Sequence, residues 1–103
     1  MKKQDGLTLA RKLRRVLLRQ GYPVRKVILF GSTATGKAKA GSDIDIAIVT
    51  DPFLKSPFDE NVRFSLLGRD IDIRIETVCL HPIDFENRYF TLAKEVERHG
   101  IPA

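Results

Sequence analysis

The chain has 103 residues, the size of one domain spanning 1–103. Hydrophobic residues make up 43% and charged residues 30%, which excludes a disordered or collagen-like chain. Lysine and arginine total 18 against 13 acids, a net charge of +5 that favours an anionic partner such as a nucleotide, RNA or an acidic protein without choosing among them.

No apolar run approaches the ~18 residues of a membrane span. Lys2 and Lys3 are followed by no apolar segment of a secretory signal, so a cytoplasmic location is expected. Cys79 is the sole cysteine, so neither an internal disulfide nor a cysteine-based zinc site is expected.

In chain order, Leu7 to Gln20 predicts a helix with Leu9, Leu13, Val16 and Gln20 near one stripe and Ala10 and Leu17 beside them. Arg11, Lys12, Arg14, Arg15 and Arg19 fill the opposite arc, which reads as a solvated face rather than a nucleic-acid footprint. Gly21 and Pro23 stop this helix. Val24 to Phe30 is β-branched and apolar and predicts a strand. A Gly-punctuated segment, Gly31 to Gly41, leads to a second strand, Ile44 to Val49. Ser56-Pro57-Phe58-Asp59 carries a cap, a proline at the first helical position and an early acid, so a helix is expected to run to about Leu67 with Gly68 ending it. Asp70 to Val78 alternates, with Ile71, Ile73 and Ile75 on one face and Asp70, Asp72, Arg74 and Glu76 on the other, and predicts a third strand. A last helix is expected over Asp84 to His99, its stripe made by Phe85, Tyr89, Leu92, Ala93 and Val96. The tyrosines and phenylalanines read as core. The fold class expected is α/β (α+β): a small mixed sheet of three or four strands with helices packed on one face.

Two local patterns carry chemistry. Gly31-Ser32-Thr33-Ala34-Thr35-Gly36-Lys37-Ala38 nearly spells a Walker A loop, but Ala38 lacks the required hydroxyl and no long helix follows. What remains is a sharp turn after a strand, with a hydroxyl and free N–H groups at the start of a short helical turn, an arrangement that favours an anion. Asp43 and Asp45 lie two apart on a strand, so both carboxylates share a face about 6–7 Å apart. Their repulsion calls for a cation, and Mg²⁺ accepts carboxylates together with substrate phosphates. Asp72 offers a third carboxylate from another strand, and three such groups beside a phosphate turn suit two-metal phosphoryl or nucleotidyl transfer.

Phe30-Gly31-Ser32-Thr33-Ala34-Thr35-Gly36, then Gly41-Ser42-Asp43-Ile44-Asp45-Ile46, resembles the signature of polymerase-β-type nucleotidyltransferases, and most of all their minimal nucleotidyltransferase (MNT) branch. Gly68-Arg69-Asp70-Ile71-Asp72-Ile73 resembles that branch's third-carboxylate strand. The resemblance implies a nucleoside triphosphate donor, ATP, with two Mg²⁺ ions. It implies that Gly31, Ser32 and Ser42 bind nucleotide, that Asp43 and Asp45 ligate metal, and that Asp72 binds the second metal and helps deprotonate the acceptor hydroxyl. Thr33 stands where many relatives carry a bulky or basic residue, and Asp70 shares a face with Asp72 and stays open as the alternative. Lys37, Lys39 and Arg74 are open between neutralising a triphosphate and ordinary solvation or pairing. His81 and His99 lack metal-ligand spacing.

The MNT branch is often the antitoxin of a pair whose partner is a HEPN-domain toxin, and its characterised members transfer AMP from ATP to a tyrosine of that toxin. The resemblance thus implies a protein adenylyltransferase with a HEPN-type partner. A non-catalytic antitoxin that blocks its partner sterically, and an adenylyltransferase acting on a small molecule such as an antibiotic, are the alternatives. Neither the acceptor nor a homo-oligomeric state can be read from the sequence.

Overall fold

The computed structural model describes residues 2–103. Helix α1 spans Lys3–Arg19, polar along its outer face with one stripe buried. The stripe is Leu7, Ala10, Leu13 and Leu17, with Leu9 and Val16 half-buried at its margin. Burying a leucine completely contributes about 1.5–3 kcal/mol, so Leu13 and Leu17 anchor this helix to the sheet. The arginines predicted to face solvent do so.

Strand β1 (Val24–Phe30) follows, then the short helix α2 (Gly31–Thr35), strand β2 (Ile44–Thr50) and helix α3 (Pro57–Ile71). Strand β3 (Ile75–Leu80), a 3-10 turn (Pro82–Glu86), helix α4 (Thr91–His99) and the two-residue strand β4 (Ile101–Pro102) complete the order. The sheet runs β3-β2-β1-β4. β1 pairs antiparallel with β2 and β4, whereas β2 and β3 are parallel and therefore need the α3 crossover. The expected mixed sheet with helices is thus present.

Period two divides the strands between two cores. Val27, Leu29, Ile44, Ile46, Ile48 and Ile75 meet α1 and Phe64 of α3 on one side. Ile28, Phe30, Ala47, Val49 and Leu80 meet Val96 of α4 and Phe85 on the other. The expectation that helices share one face holds for α1 and α3 and is corrected for α4: its stripe of Ala93 and Val96 covers the apolar side that the first two helices leave open.

Three further boundaries differ from expectation. Helix α3 does not end at Gly68 but passes through it to Ile71. Gly68 is there for closeness, since a Cβ would come within 2.8 Å of Ile75 Cγ2. In consequence β3 starts at Ile75, not Asp70. Of the alternating isoleucines, Ile71 ends the helix, Ile73 is 83% exposed and Ile75 alone enters the core. The last helix is divided: the 3-10 turn comes first, and α4 begins at Thr91. Tyr22 packs edge-on against Phe53 and Phe64 as core, but Tyr89 and Phe58 are exposed. Among the described residues no helix is long and apolar enough to cross a membrane.

Candidate functional site

The site forms where β1 ends, β2 begins and β3 begins, on the α4 side of the sheet. Gly31 follows β1 directly with φ +72, a left-handed conformation that suits glycine. A Cβ at this position would collide with the Asp45 carboxylate, so glycine lets the turn lie against that acid. α2 then begins, and its first amides have no acceptor within the helix. Ser32 sits in this first turn, partly exposed, while its carbonyl accepts the Lys37 N–H and the Thr35 hydroxyl. Gly36, left-handed, closes the turn. The sharp glycine turn and short helical turn expected from the sequence are therefore present, and α2 is too short for a Walker loop.

Ser42 has a different part. Its hydroxyl oxygen accepts the Lys39 N–H at 2.9 Å, and its own N–H donates to the Lys39 carbonyl. It shapes the turn that delivers Asp43. Thr33 is buried, and its hydroxyl donates to the Asp43 carbonyl at 3.4 Å, tying the phosphate turn to the acidic strand. Lys37 and Lys39 are exposed on the loop.

Asp43 and Asp45 share the α4 face of the sheet, and the acid that joins them is Glu76. The parallel register sets Glu76 beside Asp45, one strand spacing away at about 4.8 Å, and its carboxyl lies close enough to the Asp43 carboxylate to be shifted by it. Contact with the Asp43 carboxylate raises the Glu76 carboxyl above its usual range, with burial and Asp45 adding to the effect and Arg69 opposing it. Burial first, then Asp43 and Glu95 of α4, raise Asp45. Three mutually repelling, all-oxygen donors open to solvent are what a hard divalent cation takes, so these residues fit Mg²⁺.

Asp72 lies elsewhere in the local geometry. It is the residue that ends α3, and its carboxylate forms a two-pronged pair with Arg74, at 3.0 Å to Nε and 2.7 Å to Nη2, while accepting the Arg74 N–H. These bonds to Arg74 hold Asp72 down at about 2. Its work is to fold the α3–β3 connection. Asp70, the alternative, is exposed on α3 rather than on a strand. The third carboxylate assigned from alternation is therefore displaced by the helix overrun: four residues on, Glu76 occupies the place on β3 that Asp72 was expected to hold. The Asn61 side chain reinforces that placement by donating to the Thr77 carbonyl at 3.1 Å and accepting the Thr77 hydroxyl at 2.9 Å. In the sequence Glu76 was visible as the far end of the alternating polar face, but choosing it required knowing where α3 ends.

The family model of the nucleotidyltransferase domain matches residues 10–101. The chain belongs to this nucleotidyltransferase family. No curated protein sequence is significantly similar to it. Among solved structures, it is similar to a protein assigned as a minimal nucleotidyltransferase, at 22% identity and TM-score 0.67, covering 100% of this chain and 97% of that one. A toxin–antitoxin structure with AMP-PNP matches at 21% identity and TM-score 0.66, covering 90% of this chain and 70% of that one. A tri-AMPylated Shewanella oneidensis HEPN toxin in complex with MNT antitoxin matches at 19% identity and TM-score 0.61, covering 94% and 70%. At these identities the likeness establishes the fold. The nucleotidyltransferase chain described here thus shares the fold of minimal nucleotidyltransferases.

Proposed function

We propose that this nucleotidyltransferase moves AMP from ATP to a hydroxyl, with a tyrosine of a HEPN-type partner as acceptor and Asp43, Asp45 and Glu76 as its metal-binding acids. The observation that carries this reading is the placement of those three acids next to one another on one face of the sheet beside the Gly31–Ser32 turn. Mg²⁺, when bound with the triphosphate, supplies charge neutralisation and alignment for in-line transfer. The first amides of α2 and the Ser32 hydroxyl bind the β- and γ-phosphates. Asp45 on β2 and Asp43 just before it fix where the α-phosphate sits. The Glu76 carboxylate, beside Asp45 on the neighbouring strand, takes the proton of the incoming hydroxyl. The acceptor oxygen bonds to the α-phosphorus, the bond to the bridging oxygen breaks, and pyrophosphate leaves.

A protein acceptor is supported by the surface as well as by the similar complexes. Phe58, Val62 and Leu66 recur every four residues along α3 and are 75%, 45% and 66% exposed. Such an apolar stripe suits a protein partner. One complex that the fold resembles pairs a HEPN toxin with an MNT antitoxin, and another, a toxin–antitoxin structure, carries AMP-PNP. The test is transfer of label from α-labelled ATP to a purified HEPN-domain toxin in the presence of Mg²⁺. Label on the toxin supports the reading. Tight binding of the toxin with no label would instead favour the steric antitoxin.

A further inference from the structure

Three side chains that the carboxylate site does not use converge on the opposite face of the sheet. Cys79 and His81 are two apart at the end of β3, so they point to the α3 side, and Leu80 between them packs on the α4 side. Glu60, in the first turn of α3, is fully buried and reaches both. His81 Nε2 lies 2.6 Å from Glu60 Oε1, and Cys79 Sγ lies 4.0 Å from the same oxygen. One donor atom from each of the three residues falls within 4.8 Å of the others. The second Glu60 oxygen accepts the N–H groups of Phe53 and Leu54, at 2.5 and 3.2 Å, so the carboxylate cannot swing away. Supporting bonds of this kind orient metal ligands.

We propose that Glu60, Cys79 and His81 form a binding site for a zinc-class divalent cation, separate from the nucleotide site. The donor chemistry selects the ion. One sulfur, one imidazole nitrogen and one carboxylate oxygen suit Zn²⁺ or Co²⁺, whereas Mg²⁺ demands oxygen in octahedral array. The geometry needs little adjustment. Donors at about 2.0–2.3 Å from a tetrahedral ion stand roughly 3.3–3.8 Å from one another, so the His81–Glu60 pair opens and the thiol closes by side-chain motion alone. His81 is 14% exposed, which leaves a path for the ion and a fourth place for water. On binding, the Cys79 thiol gives up its proton to solvent as sulfur bonds to the ion; the proton that His81 Nε2 shares with Glu60 also leaves that nitrogen, the imidazole carrying its proton on Nδ1 instead, so that Nε2 presents its lone pair. The ion ties the end of β3 to the start of α3. Glu76 is three residues before Cys79 and on the other face, so the two sites are independent.

Cobalt substitution tests this directly. The full chain, stripped with chelator, is titrated with Co²⁺ alone. The expected result is a thiolate-to-cobalt charge-transfer band that saturates at one equivalent, is displaced by Zn²⁺ and survives excess Mg²⁺. Cys79→Ser, nearly isosteric, should abolish the band, and His81→Gln should weaken the affinity at least tenfold, each with a far-ultraviolet dichroism spectrum like that of the parent chain. Asp43→Asn should leave the titration unchanged, which separates this site from the carboxylates. No charge-transfer band in the parent chain would overturn the proposal. So would Zn²⁺ affinity that is the same in the Cys79→Ser and His81→Gln variants as in the parent.

Discussion

Glu76 and Asp72 are four residues apart, both acidic, and held in opposite electrostatic conditions. Asp72 is satisfied by Arg74, while Glu76 faces Asp43 and Asp45. Glu76→Gln is therefore expected to fold and to lose nucleotidyl transfer, as measured with α-labelled ATP. Asp72→Asn should keep transfer and lose only a partly exposed ion pair, about 0.2–1 kcal/mol in a thermal melt. The two acids also respond oppositely to pH. Asp72 is depressed, so its stabilisation is present above its unfolded value of 3.8 and is lost as pH falls towards about 2. Asp45 and Glu76 are raised, so their contribution is present below the ordinary carboxylate range and is lost as pH rises through their folded values. Metal-free Asp43→Asn should accordingly melt higher than the parent at neutral pH, and the difference should shrink on acidification. Melts at a series of pH values in chelator check this, and a gap that widens on acidification would contradict it. At the phosphate turn, Ser32→Ala removes one hydrogen bond to a charged group, about 1.5 kcal/mol, so ATP affinity in calorimetry should drop roughly tenfold.

At the scale of elements, what the sequence made legible was what depends on local pattern. The strand over Val24–Phe30, the Gly31–Ser32 turn and the pair Asp43 and Asp45 need only neighbours in the chain to be recognised. The third carboxylate did not yield to the same reasoning, because it is fixed by the parallel register of β3 on β2 and by where α3 stops. Gly68 was misleading for a physical reason. A glycine near a helix end usually terminates it, yet here the missing side chain admits Ile75 and Thr77. The alternation of Ile71, Ile73 and Ile75 was equally local and equally blind to the chain's change of direction at Asp72. α4 was placed on the wrong face because helix periodicity reveals which stripe is buried but not against which side of a sheet. Gly68→Ala tests the packing account. Helix propensity alone would stabilise the variant by about 0.5–1 kcal/mol. The close approach to Ile75 predicts instead a loss of about 1–3 kcal/mol in denaturant or thermal melts.

Taken as a whole, the molecule separates its tasks by surface. The carboxylates open on the α4 side of the sheet, the Glu60–Cys79–His81 cluster is buried on the α3 side, and the apolar stripe of α3 faces outward. The net charge of +5 suits a triphosphate ligand, although much of it is spread along the outer face of α1. If the α3 stripe receives the partner, Leu66→Glu should change stability by no more than about 0.5 kcal/mol and should abolish co-purification of the HEPN-domain protein. Label transfer would fall with it, while nucleotide binding would not. Binding of Mg²⁺ and nucleotide should also stabilise the fold, by about 2.7 kcal/mol at a hundredfold excess over the dissociation constant. The central claim is that Asp43, Asp45 and Glu76, not Asp72, make the nucleotide's metal site. Calorimetric titration with Mg²⁺ and AMP-PNP addresses it directly. The account predicts binding by the parent chain and by Asp72→Asn, and none by Glu76→Gln; binding kept in Glu76→Gln and lost in Asp72→Asn would contradict it.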